Sequence, residues 1–268
     1  MIDNGKRNIL GVCVNVVDYE SAVKRIIDGA HNCTPLAVSA LAVHGIMTGV
    51  LDVTHRYRLN HLDLVTPDGQ PVRWALRLLH GETLPSRVCG PELMLRVCAA
   101  AVKERLPIYF YGSGKNVLAR LVDRINSQFP EIIIAGSSPS RFRRIKREEN
   151  AEILKEISTS GARIVFVGLG CPRQEVWAYE NTSQLSMPVL AVGAAFDFHA
   201  GLLSQPRAWI QDAGLEWLFR LIQEPRRLWR RYLLLNPLFC WYIFLQAFGL
   251  RDFRSDDDPR PDTPIIFA

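Results

Sequence analysis

Apolar residues in this chain fall into short β-branched runs separated by longer stretches in which they recur every three or four positions. The first spacing predicts strands and the second predicts helices. Residues 9–17 alternate toward a first strand, and residues 21–27 form a short helix entered from Asp18. A second strand covers 35–39 and is followed by a helix containing His44, Ile46 and Met47. Leu62-Asp-Leu-Val-Thr66 is a third strand, closed by the turn Pro67-Asp68-Gly69 and followed by a helix through Trp74 to Leu79. Residues 91–105 make an amphipathic helix. From Leu106 the rhythm becomes regular, with strands over 108–113, 132–136, 163–167 and 189–193. Helices over 117–129 and 148–158, and one starting at Pro172, alternate with them. This pattern predicts an α/β fold with a mostly parallel sheet covered by helices on both faces.

Ligands of such sheets bind beyond the carboxyl ends of the strands. Those ends collect Ser39, Asp68, Gly112-Ser113, Ser137-Ser138, Gly170 to Gln174 and Phe196-Asp197. The stretch Val167-Gly-Leu-Gly-Cys-Pro-Arg-Gln-Glu175 reads as strand, glycine turn and helix start. Its unpaired backbone N–H groups and dipole favour a phosphate or diphosphate. It matches neither G-x-G-x-x-G nor a Walker loop, so an ordinary βα turn and a ligand loop both remain open.

The end of the chain follows a different pattern. Trp217, Leu218, Leu221, Leu228, Trp229, Tyr232 and Leu233 recur near helical spacing with arginines between them, as in a basic amphipathic helix at an interface. Residues 232–250 are uncharged, but Asn236-Pro237 interrupts them. The roughly 13 residues that follow give about 20 Å of helix, short of the roughly 30 Å hydrocarbon core. A monotopic, dipping attachment is expected, with a buried terminal helix or dimer interface as the alternative. The expected division is an α/β domain over 1–212, a membrane-associating appendage over 213–250 and a disordered, Asp/Pro-rich tail over 251–268.

At 268 residues, 48% of them hydrophobic and 22% charged, the chain can bury a substantial core. Its polar, acid-containing start lacks the pattern of a signal peptide, which points to the cytoplasm. The six cysteines form no C-x-x-C pair, arguing against a zinc site or disulfide frame; Cys171, in the glycine turn, is the one candidate thiol. The net charge of +5 includes Arg220, Arg226, Arg227, Arg230 and Arg231, immediately before the apolar stretch. That placement suits an anionic membrane surface and not nucleic acid.

Three side chains carry candidate chemistry. Asp68 either caps a turn or, at a strand end, accepts a proton from a hydroxyl nucleophile. Arg87, before Gly90 and a helix start, suits bidentate phosphate contact or simply the surface. Asp197 and His199 form no convincing metal site.

Taken together, Thr66-Pro-Asp-Gly69, Arg87-Val-Cys-Gly90, Val167 to Glu175, Val192-Gly-Ala-Ala-Phe-Asp197 and Gly214 to Arg227 resemble, in order and spacing, the WecG/TagA/CpsF family of bacterial glycosyltransferases, family 26. The resemblance runs from about Ile9 to Pro237. It implies a Rossmann-like fold and an inverting, metal-independent transfer from a UDP-sugar to a polyprenyl-diphosphate-linked saccharide. Such products serve teichoic acid, common antigen, capsule or exopolysaccharide synthesis. The implied general base is Asp68, with Arg87 and Gln174 beside it. On the substrate side stand Ser39, Gly112, Ser113, Ser137, Gly168, Gly170, Pro172, Arg173, Phe196, Asp197, Arg220, Arg226, Arg227 and Arg230, with no cofactor and no metal. The implied partners are the UDP-sugar, the lipid-linked acceptor and the membrane surface, with a homo-oligomer when off the membrane and no nucleic acid. The implied location is the cytoplasmic face of the inner membrane.

Two departures bear on the donor sugar. Ser39-Ala40-Leu41 stands where the family usually has Thr-x-Asn, and Ser137-Ser138-Pro139 where many members carry a histidine-glycine pair. The competing readings are a non-catalytic nucleotide-sugar-binding membrane protein and a soluble Rossmann-type oxidoreductase. The second is weakened by the missing G-x-G-x-x-G with its downstream acid.

Overall fold

The structure is a computed structural model that describes residues 1–254, 258–262, 264, 265, 267 and 268, with Ala208 described by its backbone alone. It opens with an antiparallel hairpin of β1 (Asp3–Ile9) and β2 (Val12–Val17). The single strand expected over 9–17 is therefore a correction. Leu10 and Gly11 both have positive φ, 55° and 86°, and turn the chain back between Ile9 and Val12. Such two-residue turns match the natural twist of paired strands.

The helix α1 (Tyr19–His31) starts where expected, because Asp18 accepts a 2.8 Å hydrogen bond from the Ser21 N–H. Next come β3 (Leu36–Leu41), α2 (Val43–Leu51), α3 (Val53–Asn60), β4 (Leu64–Pro67), α4 (Gln70–His80) and α5 (Gly90–Lys103). Regular βα units then supply β5 (Ile108–Gly112), α6 (Lys115–Gln128), β6 (Ile134–Ser138) and α7 (Arg147–Thr159). They are followed by β7 (Ile164–Gly168), α8 (Arg173–Asn181), β8 (Pro188–Ala191) and α9 (Ala195–His199).

The main sheet has six strands in the order β4-β3-β8-β7-β5-β6, all parallel, as the alternating pattern predicted. Side chains divide between its faces with a period of two. Tyr109, Tyr111, Val165, Val167 and Val189 join the hairpin, α2 and Trp177 in one core layer. Ile108, Phe110, Ile164, Phe166 and Leu190 join α1, α5 and α6 in the other. Because β3 and β4 run to one edge and β5 and β6 to the other, the carboxyl ends of the central β7 and β8 lie in the crevice between two chain directions.

After α9 come α10 (Ala208–Asp212), α11 (Glu216–Gln223) and α12 (Pro225–Ala247). The break expected at Asn236-Pro237 does not occur: α12 runs through Pro237. A proline inside a helix costs roughly 3 kcal/mol. Here the buried Leu228, Tyr232, Phe239 and Ile243 on the same helix offset that cost by packing into the protein. The opposite side of α12 exposes Trp229, Leu233, Leu234, Trp241 and Phe244. Among the described residues no helix is long and apolar enough to cross a membrane.

The disorder expected for the tail falls partly on residues 255–257, 263 and 266, outside the described residues. The described part packs back on the domain. Asn8 Nδ2 donates to the Phe253 carbonyl at 2.9 Å, Arg56 pairs with Asp258, and Phe267 forms a β-bridge with Arg144.

Candidate active site

The turn after β4 places Asp68. Its N–H donates to the Leu41 carbonyl at 3.2 Å, which fixes it at the carboxyl end of the sheet. Gly69 follows with φ 99°, a conformation open to glycine, so α4 can start at once with Pro71 in its first turn. The Arg87 segment is lashed alongside. The Val88 N–H donates to the Pro67 carbonyl at 3.0 Å, and Thr66 Oγ1 donates to the Val88 carbonyl at 2.9 Å.

Arg87 thus lies with Nη1 4.0 Å from Asp68 Oδ1. The same nitrogen pairs with Glu216 at the start of α11, and Nη2 donates to Gln211 Oε1 at 2.7 Å. Burial opposes the Arg87 charge, but Asp68 and Glu216 outweigh it and push its pKa up. Burial raises Asp68 itself to about 6, with Glu216 adding to the rise. Arg87, the Gly90 N–H 3.4 Å from Oδ2 and Arg220 all hold it down. A carboxyl so poised is ionised at neutral pH yet basic enough to take a proton.

The glycine loop after β7 forms a second wall, and it depends on close backbone approach. A Cβ on Gly112 would fall 2.8 Å from Gly168 backbone atoms, and one on Gly168 would fall 2.5 Å from the Phe196 ring. Gln174, in the first turn of α8, accepts from the Gly170 N–H at 3.2 Å and donates from Nε2 to Glu175 Oε1 at 2.8 Å. Ser39 Oγ donates to that same oxygen at 3.2 Å. Burial pushes up the Glu175 carboxyl, and burial and Glu175 together push the Cys171 thiol well above its ordinary value. A thiol held protonated in this way is not a nucleophile.

The roof consists of arginines from α11 and α12. The Arg220 guanidinium lies 5.5 Å from the Phe198 ring, and Arg220 and Arg227 approach Glu224 at 3.8 and 2.9 Å. Arg231 is half-buried, its Nε has no hydrogen-bond partner, and burial pushes its pKa down. A desolvated guanidinium without a full set of acceptors is a receptor for an anion.

Floor and roof enclose a cavity of about 900 Å³. Of the residues expected at the site, Asp68, Arg87, Ser113, Gly168, Gly170, Arg173, Gln174, Asp197, Arg220, Arg227 and Arg230 line it. The others do not. Ser39 is fully buried under the loop, where it supports Glu175. Gly112 packs on Gly168, and Phe196 belongs to the core, edge-on to Phe110. Ser137 is exposed on the edge strand β6, and Pro172 and Arg226 also lie outside the cavity lining. Asp197 faces the cavity, whereas His199 bonds the Pro91 carbonyl at 2.9 Å.

The structure also adds residues that pattern reading did not place at the site. His44 lines the cavity from the first turn of α2. Its Nδ1 is buried without a partner, and burial with the Arg231 charge drives its pKa down to about 4. Glu216, Trp217 and Gln211 also line the cavity. Nothing in the sequence marks His44, which sits in an otherwise apolar helical pattern. Glu216 was visible only as one residue of the Gly214 to Arg227 motif.

Comparison with known proteins agrees with this architecture. The chain is 31% identical over 176 residues to a protein of Bacillus spizizenii and to one of Bacillus subtilis, each named N-acetylglucosaminyldiphosphoundecaprenol N-acetyl-beta-D-mannosaminyltransferase. These alignments cover 65% of this chain and 66% of each relative, just under two thirds of their length. The sequence profile of the glycosyl transferase WecG/TagA/CpsF family matches residues 7–252, nearly the whole chain. The protein belongs to the WecG/TagA/CpsF family.

Proposed function

We propose that the protein transfers a sugar from a UDP-sugar, with inversion, to a hydroxyl of a lipid-diphosphate-linked saccharide in the synthesis of a cell-surface polymer. One observation carries the reading: a carboxyl with a pKa of about 6 on the floor of a cavity roofed by guanidinium groups. The ionised Asp68 accepts the proton of the attacking hydroxyl as its oxygen bonds to the anomeric carbon. The bond from that carbon to the diphosphate breaks, and its electron pair leaves with UDP. The negative charge developing there is met by Arg220, Arg227, Arg230 and Arg231, the electrostatic stabilisation that such a leaving group requires. Arg87 sits against both Asp68 and Glu216 and holds the base in place. The names of the relatives favour N-acetylmannosamine as the donor sugar and a lipid-diphosphate-linked N-acetylglucosamine as the acceptor.

The exposed aromatic and aliphatic side of α12, beside the arginines, fits a peripheral seat on the cytoplasmic face of the membrane that carries such an acceptor.

The test is Asp68→Asn, assayed with UDP-N-acetylmannosamine and a short-chain prenyl-diphosphate-linked N-acetylglucosamine. Turnover should fall by about 10²–10⁴-fold, while UDP affinity measured by calorimetry persists. Retained turnover would remove Asp68 as the base. The variant should also melt higher at neutral pH, by on the order of 1 kcal/mol after allowance for its partial exposure. A carboxyl whose native pKa is raised above 3.8 loses native stability as pH rises through the interval up to about 6, and the amide escapes that loss.

A further inference from the structure

A second cavity, of about 370 Å³, adjoins the main one. The two share a common wall of Gln70, Arg87, Cys89, Gln211 and Glu216 with the apolar Pro91 and Phe198. Its size lies near the lower end of the roughly 300–1,000 Å³ of small-molecule sites. It has room for a sugar ring.

The chemistry of the two spaces differs. Six arginines and four carboxyls line the main cavity, so positive groups outnumber negative ones there even with Asp68 ionised. That space selects anions. Three arginines and three carboxyls line the smaller one, equal in number, and two of the arginines pair with carboxyls. Arg96 Nε donates to Glu92 at 2.7 Å and Arg87 pairs with Glu216. Arg73 donates to the Leu84 carbonyl at 2.7 Å and to Gln70 Oε1 at 3.2 Å. What remains for a ligand is a mixture of neutral donors and acceptors, including Ser86 and Gln205. Tyr19 adds an aromatic wall stiffened by the Arg96 guanidinium 4.5 Å from its ring centre. A wall of donors and acceptors with an aromatic ring suits a neutral polyhydroxyl ligand and offers no surplus charge to a phosphate.

The position is as informative as the composition. Gln70 stands two residues after Asp68, and Gly90, whose N–H points at Asp68 Oδ2 from 3.4 Å, follows the shared wall residue Cys89. The smaller cavity therefore opens beside Arg87, whose Nη1 lies 4.0 Å from Asp68 Oδ1.

We propose that this side cavity is the seat of the acceptor sugar. The uncharged N-acetylhexosamine ring of the acceptor binds there, with its lipid diphosphate outside the cavity, and presents its attacking hydroxyl along Arg87 to Asp68, which leaves the arginine-roofed cavity to the donor. The inference rests on the glycosyl transfer proposed above and adds to it a division of the site into a neutral half and a cationic half. The hydroxyl proton passes to Asp68, the new bond joins that oxygen to the anomeric carbon, and the donor's diphosphate departs on the cationic side.

Two variants of the full-length protein test it, Ser86→Trp to fill the cavity and Gln205→Ala to remove one polar wall group at an exposed loop position. With the prenyl-diphosphate-linked N-acetylglucosamine, Ser86→Trp should raise the acceptor KM about tenfold and Gln205→Ala about threefold. The donor KM and UDP affinity should stay within twofold. An unchanged acceptor KM in a folded Ser86→Trp overturns the proposal, as does a rise confined to the donor KM. If Ser86→Trp does not fold, the acceptor KM of Gln205→Ala decides in the same way. If the unmodified protein transfers no sugar, the glycosyl transfer reading fails, and the cavity is judged by saturation-transfer resonance from the protein to methyl N-acetylglucosaminide. A signal lost in Gln205→Ala and kept in Asp68→Asn retains the neutral-sugar site, and no signal from the unmodified protein discards it.

Discussion

On the floor of the cavity, Asp68 and Gln174 are held by hydrogen bonds that involve the backbone at strand ends: Asp68 N–H to the Leu41 carbonyl, and the Gly170 N–H to Gln174. On the roof, the arginines ride on α11 and α12, and Arg220 and Arg227 find their carboxylate partner nearby on the chain, in Glu224. The floor is a product of the sheet and is preorganised by it. The roof is positioned by how two helices seat on the domain, and their outer faces expose Ile222, Leu234 and Trp241. The proposed charge-stabilising groups and the proposed base therefore answer to different forces, and the Arg87–Glu216 pair is a point where the two halves touch. A membrane surface at the proposed seat on the apolar side of α12 would act first on the roof and would reach the proposed base through such contacts.

The comparison breaks if α12 is a detachable element. Phe239 is 3% exposed and part of the core that includes the hairpin and α2. Phe239→Ala should cost about 3–5 kcal/mol of unfolding free energy in denaturant titration. A loss below about 1 kcal/mol would make the roof an independent appendage. The same packing means that deleting the chain from Pro225 onward strips the domain of buried side chains, so point variants are the sharper tool. Of these, Arg231→Ala should have the next largest effect, lowering kcat by about 10²-fold, as expected when one preorganised donor is lost from developing charge. Because burial already opposes its charge, its removal should leave the melting temperature unchanged or higher. Loss of activity with loss of stability would instead assign Arg231 to packing.

The sequence made the floor legible because its residues sit in punctuated motifs. Pro67-Asp68-Gly69 and Gly168 to Gln174 each end a strand in glycine or proline, and the parallel sheet follows from the repeated strand-helix alternation. Legibility failed where tertiary packing outweighed local signals. Pro237 reads as a break, yet four buried residues carry α12 through it. Ser39 reads as a cleft residue, yet its hydroxyl turns to a buried carboxyl, since strand residues alternate between faces and pattern alone does not say which face is open. His44 has no local signature, and the Arg231 charge that acts on it comes from more than a hundred residues away.

The smallest expected effect tests the junction itself. As the proposed base, Asp68 would work when ionised, so kcat/KM for the free enzyme should fall as pH drops through about 6. Glu216 is one of the groups that raise Asp68, because two carboxylates facing one arginine repel each other. Glu216→Gln removes that repulsion and frees more of Arg87 for Asp68, and both changes favour the ionised carboxyl. The acid limb should therefore move to lower pH, while the rate at pH 7.5, where Asp68 is already ionised, changes by less than about twofold. An acid limb that stays where it was would mean that the working carboxyl does not feel α11, and the roof would then act on the leaving group alone. A limb that moves to higher pH would mean that Glu216 holds Arg87 against the base, so that freeing the guanidinium draws it away from Asp68 toward the roof.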